Sequence, residues 1–131
     1  MGENTLKPST SGMLGAGFAF LAVALGAFGA HGLESRVPPA DLVTFETGAR
    51  YQMYHALALL LLAAGPPGMS RRWVRVSTWA FSLGILLFSG SLYLLVLSGI
   101  RGLGAVTPVG GVSFLIGWLA LIWAFARRAN V

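Results

Sequence analysis

Four apolar runs divide this chain, over about residues 12–31, 43–64, 74–98 and 107–126. Each approaches the roughly 20 residues a helix needs to cross the hydrocarbon core of a bilayer. Hydrophobic residues make up 56% of the chain and charged residues 10%, against roughly 25% charged in an ordinary soluble domain. Too little charge remains to cover a soluble globule. The expected fold is therefore an all-α membrane protein, a four-helix transmembrane bundle forming one membrane domain over residues 1–131. The second run is the least apolar: its strictly apolar part, residues 56–64, is short, and the polar stretch before it must supply the upper turns.

The breaks between runs carry turn chemistry. Pro38-Pro39 can sit in a helix's first turn, and Gly65-Pro66-Pro67-Gly68 must be a turn because neither proline continues the helix above it. Ser98-Gly99 ends the third run. Thr107-Pro108 opens the fourth, with threonine expected as N-cap and proline as the first helical residue. Lys7, the cluster Arg71, Arg72 and Arg75, and the pair Arg127 and Arg128 fall on one side of the layout. Arg36, Arg50 and Arg101, mixed with Glu34, Asp41 and Glu46, fall on the other. The positive-inside rule then predicts both termini in the cytoplasm of a multi-pass inner (plasma) membrane protein, with Trp73, Trp79 and Trp123 near that same interface.

Other readings of these segments are weaker. The first run is longer than a signal peptide's apolar core and is preceded by a single Lys7. Leu6 replaces the Ser or Thr that a myristoylation signal starting Met1-Gly2 would need. The net charge of +5 is spread over the gaps between runs, so no nucleic-acid patch is expected. The absence of cysteine removes disulfides, thiolate metal sites and a cysteine nucleophile.

In the first run Gly12, Gly15, Ala19, Ala22, Gly26 and Gly29 recur at alternating steps of three and four, a heptad stripe of small residues. Lipid offers no hydrophobic drive between helices, and small residues allow close backbone approach instead. The stripe predicts an intimate neighbour, either within the chain or in a second copy or partner. In the third run Ser82, Ser89 and Tyr93 share one face and Gly84, Ser91 and Ser98 another; the fourth carries Gly110, Gly111 and Gly117.

Polar groups at membrane depth are costly and mark helix contacts or sites. His31, Gln52, His55, Ser89, Tyr93 and Thr107 all fall at or outside mid-depth in the predicted topology, and they are expected to form one shared buried polar cluster. Glu46 and Arg50, spaced i,i+4 with the acid first, predict a helical ion pair. For His55 the expectation is an interhelical hydrogen bond, for example to Ser89 or Tyr93, with proton carriage as the alternative. Two histidines without a firm third ligand do not make a metal site. No nucleophilic triad, phosphate loop or zinc helix is present, so neither catalysis nor a cofactor is expected.

The segments 26–33 (Gly-Ala-Phe-Gly-Ala-His-Gly-Leu), 47–58 (Thr-Gly-Ala-Arg-Tyr-Gln-Met-Tyr-His-Ala-Leu-Ala), 88–93, 107–111 and Gly117-Trp118 together resemble a family of small four-span membrane proteins classed as a domain of unknown function. Its members include bacterial YgdD and a vertebrate relative named only as a transmembrane protein. Ala49-Arg50 departs from that family's usual stretch, which weakens any role built on Arg50 alone. The resemblance implies four helices and an inner-membrane location, and it points to His31, Gln52, His55, Ser89, Tyr93 and Thr107. It brings no activity.

Three functions compete. The foremost is an accessory, assembly or interaction subunit of a larger membrane complex, supported by minimal loops and the small-residue stripe. The second is a homo-oligomeric small transporter or proton-linked carrier using His55. The third is quinone or lipid binding in the outer polar cluster; His31 and His55 stand too far apart in depth to ligate one haem. The partners expected are the lipid bilayer and other membrane subunits or copies of this chain.

Overall fold

The computed structural model describes residues 9–128. Lys7, and the Met1, Gly2 and Leu6 of the myristoylation reading, lie outside the described residues. Four long helices make up nearly all of the structure: α1 Thr10–His31, α2 Pro39–Ala63, α3 Arg71–Ser98 and α4 Thr107–Ala126. No strand occurs among the described residues. α1, α3 and the stretch Arg101–Ala126 are each long and apolar enough to cross a membrane. α2 is long enough at 25 residues, but Asp41, Glu46, Arg50, Gln52 and His55 keep it out of that class.

Local chemistry sets the helix ends. The Ser9 side chain caps α1 by accepting from the Gly12 amide at 3.1 Å. Pro39 opens α2 in the first turn, where its missing N–H costs nothing. Gly68 and Gly99 both take positive φ, 88° and 75°, and let the chain turn after α2 and after α3. One expectation fails: Thr107 does not cap α4. A 3-10 turn over Arg101–Ala105 runs straight into the helix, and Val106, already helical, occupies the cap position. The Thr107 hydroxyl is thereby released for a contact with α3.

α1 lies antiparallel on α2 along its stripe of small residues. A methyl group on Gly12 would meet Ala63, one on Gly15 the Ala56 carbonyl at 2.8 Å, one on Gly26 Ala49, and one on Gly29 the Phe45 ring at 2.9 Å. Gly15, Ala22 and Gly29, one heptad apart, are the buried residues of α1; Ala19 lies half-buried between them. The neighbour of the stripe is thus α2 of the same chain. α3 and α4 form a second antiparallel pair, held by matching close approaches. Gly84 accommodates the Phe114 ring, Gly117 the Phe81 ring and Gly110 the backbone of Phe88. α2 closes the bundle against the middle and C-terminal half of α3, which leaves α1 on the flank.

α3 is not uniform. Its residues Ile85–Ser89 form a π-helical turn between two α-helical stretches, with the Gly90 amide bonded to the Ile85 carbonyl. A π turn inserts one residue and shifts the phase of the faces beyond it. Here it sits where Gly110 of α4 and Gly48 of α2 approach from either side.

A side chain at Gly110 would strike backbone, which cannot yield, whereas nothing lies within 4 Å of a methyl placed on Gly17 or Gly90. Gly110→Ala should therefore destabilise the bundle by about 1–3 kcal/mol, read as a lower thermal midpoint in detergent. Gly17→Ala and Gly90→Ala should leave that midpoint unchanged or raise it.

Candidate functional site

Two apolar clusters fill the bundle. One, built from Ala58, Leu59, Leu62, Phe81, Ile85, Phe114 and Leu121, lies toward the 64–70 turn. The other, built from Leu33, Phe45, Leu95 and Val96, lies toward the opposite end. A layer of polar side chains separates them near mid-height, and it holds Gln52, Ser89 and Tyr93 of the six residues expected to cluster.

Gln52 is the hub of that layer. It is 3% exposed, its amide nitrogen donates to the Phe18 carbonyl of α1 at 2.8 Å, and its amide oxygen accepts from the Tyr93 hydroxyl of α3 at 2.7 Å. One side chain of α2 thus ties three helices together. One turn away, the Ser89 hydroxyl in the π turn donates to the Gly48 carbonyl at 2.6 Å. Gly48 is required there because a methyl group would meet the Tyr93 ring at 2.9 Å. Tyr93 also packs against Phe45, ring centroids 4.9 Å apart.

His55 lies deeper, among the aromatic side chains of the first cluster. Its ring stacks on Phe114 with centroids 3.5 Å apart, Nδ1 is 2.7 Å from the Tyr51 carbonyl, and Trp118 Nε1 donates to Nε2 at 3.0 Å. An indole N–H only donates and a carbonyl only accepts. His55 is therefore the neutral tautomer with its proton on Nδ1, and a second proton on Nε2 would face the indole hydrogen. Its interhelical partner is Trp118, not Ser89 or Tyr93.

The remaining residues do not join Gln52. The Ser91 hydroxyl donates to the Phe88 carbonyl at 2.9 Å and lies 2.6 Å from the Thr107 hydroxyl, so Thr107 donates to Ser91 and links α3 to α4. His31 is exposed at the end of α1 and takes no place in the buried layer. The Glu46–Arg50 pair forms at 2.8 Å with side chains 65% and 55% exposed, on the outer surface of α2. Polar groups also occur toward the end that carries the 64–70 turn: Ser77 donates to the Gly117 carbonyl at 2.9 Å and Ser113 to the Ala80 carbonyl at 2.7 Å. Among the described residues, no buried side-chain nitrogen or oxygen lacks a hydrogen-bond partner, and no group of three or more His, Cys, Asp or Glu could hold a metal ion.

A second ion pair had no local signal in the sequence. Both Arg101 guanidinium nitrogens donate to the Asp41 carboxylate, each at 3.0 Å, across 60 positions of sequence. The bidentate contact ties the turn after α3 to the first turn of α2. The Arg101 guanidinium holds the Asp41 carboxyl below its ordinary 3.8.

Comparison with known proteins adds a family. Residues 25–111 match a family described as a protein of unknown function (DUF423). The chain is 47% identical over 120 residues to the UPF0382 membrane protein SAB0533 of Staphylococcus aureus, covering 90% of this chain and 96% of that protein. It is 49% identical over 116 residues to the UPF0382 membrane protein YwdK of Bacillus subtilis, covering 88% and 94%. No solved structure matches.

Interhelical hydrogen bonds in membrane proteins average about 0.6 kcal/mol and reach about 1.7. Tyr93→Phe should cost that much, and Gln52→Leu more, because it also removes the bond to α1. A double-mutant cycle on the two should give a coupling near the single bond's value; strict additivity would contradict the contact. Because the Asp41 carboxyl is held below 3.8 in the folded state, the Arg101 contact contributes fully above that pH and is lost as pH falls below it. Protection of the Arg101–Ala105 amides, taken relative to intrinsic exchange at each pH, should fall only in that acid range, and Asp41→Asn should lower it at neutral pH.

Proposed function

Because this chain belongs to the DUF423 family, whose relatives are named membrane proteins, we propose that it is a small accessory or interaction subunit of a larger membrane complex. In this reading the chain crosses the inner membrane four times, with both termini in the cytoplasm and no chemistry of its own. The observation that carries it is how the polar interior is used. Gln52, Tyr93, Ser89, His55, Ser91 and Thr107 bond to other helices or to helix backbone, and among the described residues no buried polar side-chain atom is left over for a substrate. Such an interior specifies helix contacts.

The alternatives need groups that are already engaged. Proton carriage by His55 requires its Nε2 lone pair, which the Trp118 indole occupies. A quinone or lipid headgroup at Gln52 and Tyr93 would have to break their mutual bond, and His31 stands apart from them. The outward surface suits docking instead: Met13, Phe20 and Val23 on α1 and Leu115, Leu119 and Ile122 on α4 are at least 62% exposed, and they present apolar faces to lipid or to a neighbouring subunit. Antiparallel pairing puts the 64–70 turn and both described chain ends at one end, and the 32–38 and 99–106 segments at the other. The wholly basic cluster Arg71, Arg72, Arg75, Arg127 and Arg128 lies at the first end, which supports a cytoplasmic assignment for it.

The test is native mass spectrometry of the tagged protein extracted gently from its own membranes. Co-purification with a defined larger complex is expected; a clean monomer or homo-oligomer would contradict the proposal. The chain lacks cysteine, so single-cysteine variants label cleanly. Ser70→Cys should react only from the cytoplasmic side and Gly102→Cys only from the other. Labelling of both from one side would refute four spans.

A further inference from the structure

A cavity of about 540 Å³ opens at the basic end of the bundle, between the start of α1, the 64–70 turn and the start of α3. That volume falls within the roughly 300–1,000 Å³ of small-molecule sites. Arg71 and Arg75, one helical turn apart on α3, line it together with the Ser11 side chain. Among the described residues neither arginine has an ion-pair partner, although the other end pairs Arg50 with Glu46 and Arg101 with Asp41. Leu62, Val74 and Trp79 add apolar lining, with Trp79 56% exposed.

The chemistry of these walls is two-fold. Guanidinium groups match the oxygens of a phosphate, while Leu62, Val74 and Trp79 match the glycerol and first acyl carbons of a lipid lying alongside. The neighbouring side chains mark the depth. Arg72 lies over the Trp73 ring at 5.3 Å and Arg127 over the Trp123 ring at 5.2 Å, an arrangement suited to the headgroup region, where tryptophan rings collect. Those cations are engaged with aromatic faces, whereas Arg71 and Arg75 line the cavity.

We propose that this cavity is a binding site for an anionic phosphate group, held by Arg71 and Arg75 at the membrane interface. It rests on the membrane-spanning reading of α1 and α3 but not on the subunit role. An acidic phospholipid and a soluble phosphate share the recognition chemistry, and the experiment separates them.

Wild-type protein in neutral detergent is titrated with phosphatidylglycerol or with phosphatidylcholine of the same chains, and bound lipid is counted by native mass spectrometry. A parallel titration uses inorganic phosphate alone. Phosphatidylglycerol should bind in preference to phosphatidylcholine. With about five-fold in affinity for each basic side chain near an anionic surface, R71Q/R75Q should lose roughly thirty-fold. R127Q/R128Q removes the same charge elsewhere and should lose little; R71K/R75K should retain part of the binding and shows that the helix tolerates substitution there. Saturable binding of inorganic phosphate with the same arginine dependence, and no lipid preference, would support the site with a soluble ligand. Equal losses in R71Q/R75Q and R127Q/R128Q, or no binding of either probe, would overturn it. Because this assay needs only folded protein in detergent, its failure is independent of whether a larger complex co-purifies from membranes.

Discussion

A polar side chain buried in the apolar interior of a helix bundle has to be answered by a neighbouring helix, since no water answers it there. Gln52 meets that demand twice, at the Phe18 carbonyl and at the Tyr93 hydroxyl, and much of the bundle's geometry follows. Both bonds are short, so α1 and α3 must each come close to α2. α1 does so because small residues line its contact face from Gly12 to Gly29. α3 does so at Gly48, where only a hydrogen leaves room for the Tyr93 ring, and the π turn places the Ser89 hydroxyl against the Gly48 carbonyl. The same shift leaves Ser91 facing α4 and Thr107. α3 can then bond to α2 and α4 from consecutive turns.

Much of this was legible in the sequence because it rests on periodicity and local chemistry. The four helices, the breaks at Pro66-Pro67 and Gly99, the stripe on α1 and the close approaches at Gly110 and Gly117 are patterns within single segments. What a pattern cannot give is the partner. Nothing in the stretch around His55 points to Trp118, 63 positions on, because many exposed and buried aromatic residues were available and only the relative rotation of α2 and α4 selects one. The Asp41–Arg101 pair fails to announce itself for the same reason. The π turn was invisible because Ile85–Ser89 reads as ordinary apolar helix. His31 looked buried by its place at the end of an apolar run, yet α1 is a flanking helix and His31 lies on its exposed side. Thr107 had the right identity for a cap but the wrong backbone before it.

The two ends of the molecule differ in how they handle charge. At the end bearing residues 32–38 and 99–106, acids and arginines neutralise one another, once on the surface of α2 and once between two turns. At the other end the described charges are all basic; some lie over tryptophan rings and two line an open cavity. Between them, among the described residues, the buried polar side chains are bonded to one another and to the backbone.

The proposed role of the buried polar side chains is to join helices and not to carry protons or ligands. The His55 imidazole reports on it most directly, through its nitrogen-15 chemical shifts in protein reconstituted into lipid bilayers near neutral pH. The structure requires a neutral ring with the proton on Nδ1 and an unprotonated Nε2 that accepts from the Trp118 indole, and both nitrogen shifts should change in Trp118→Phe. A ring protonated on both nitrogens, or one carrying its proton on Nε2, would mean that the indole bond does not hold and that His55 is free for other chemistry.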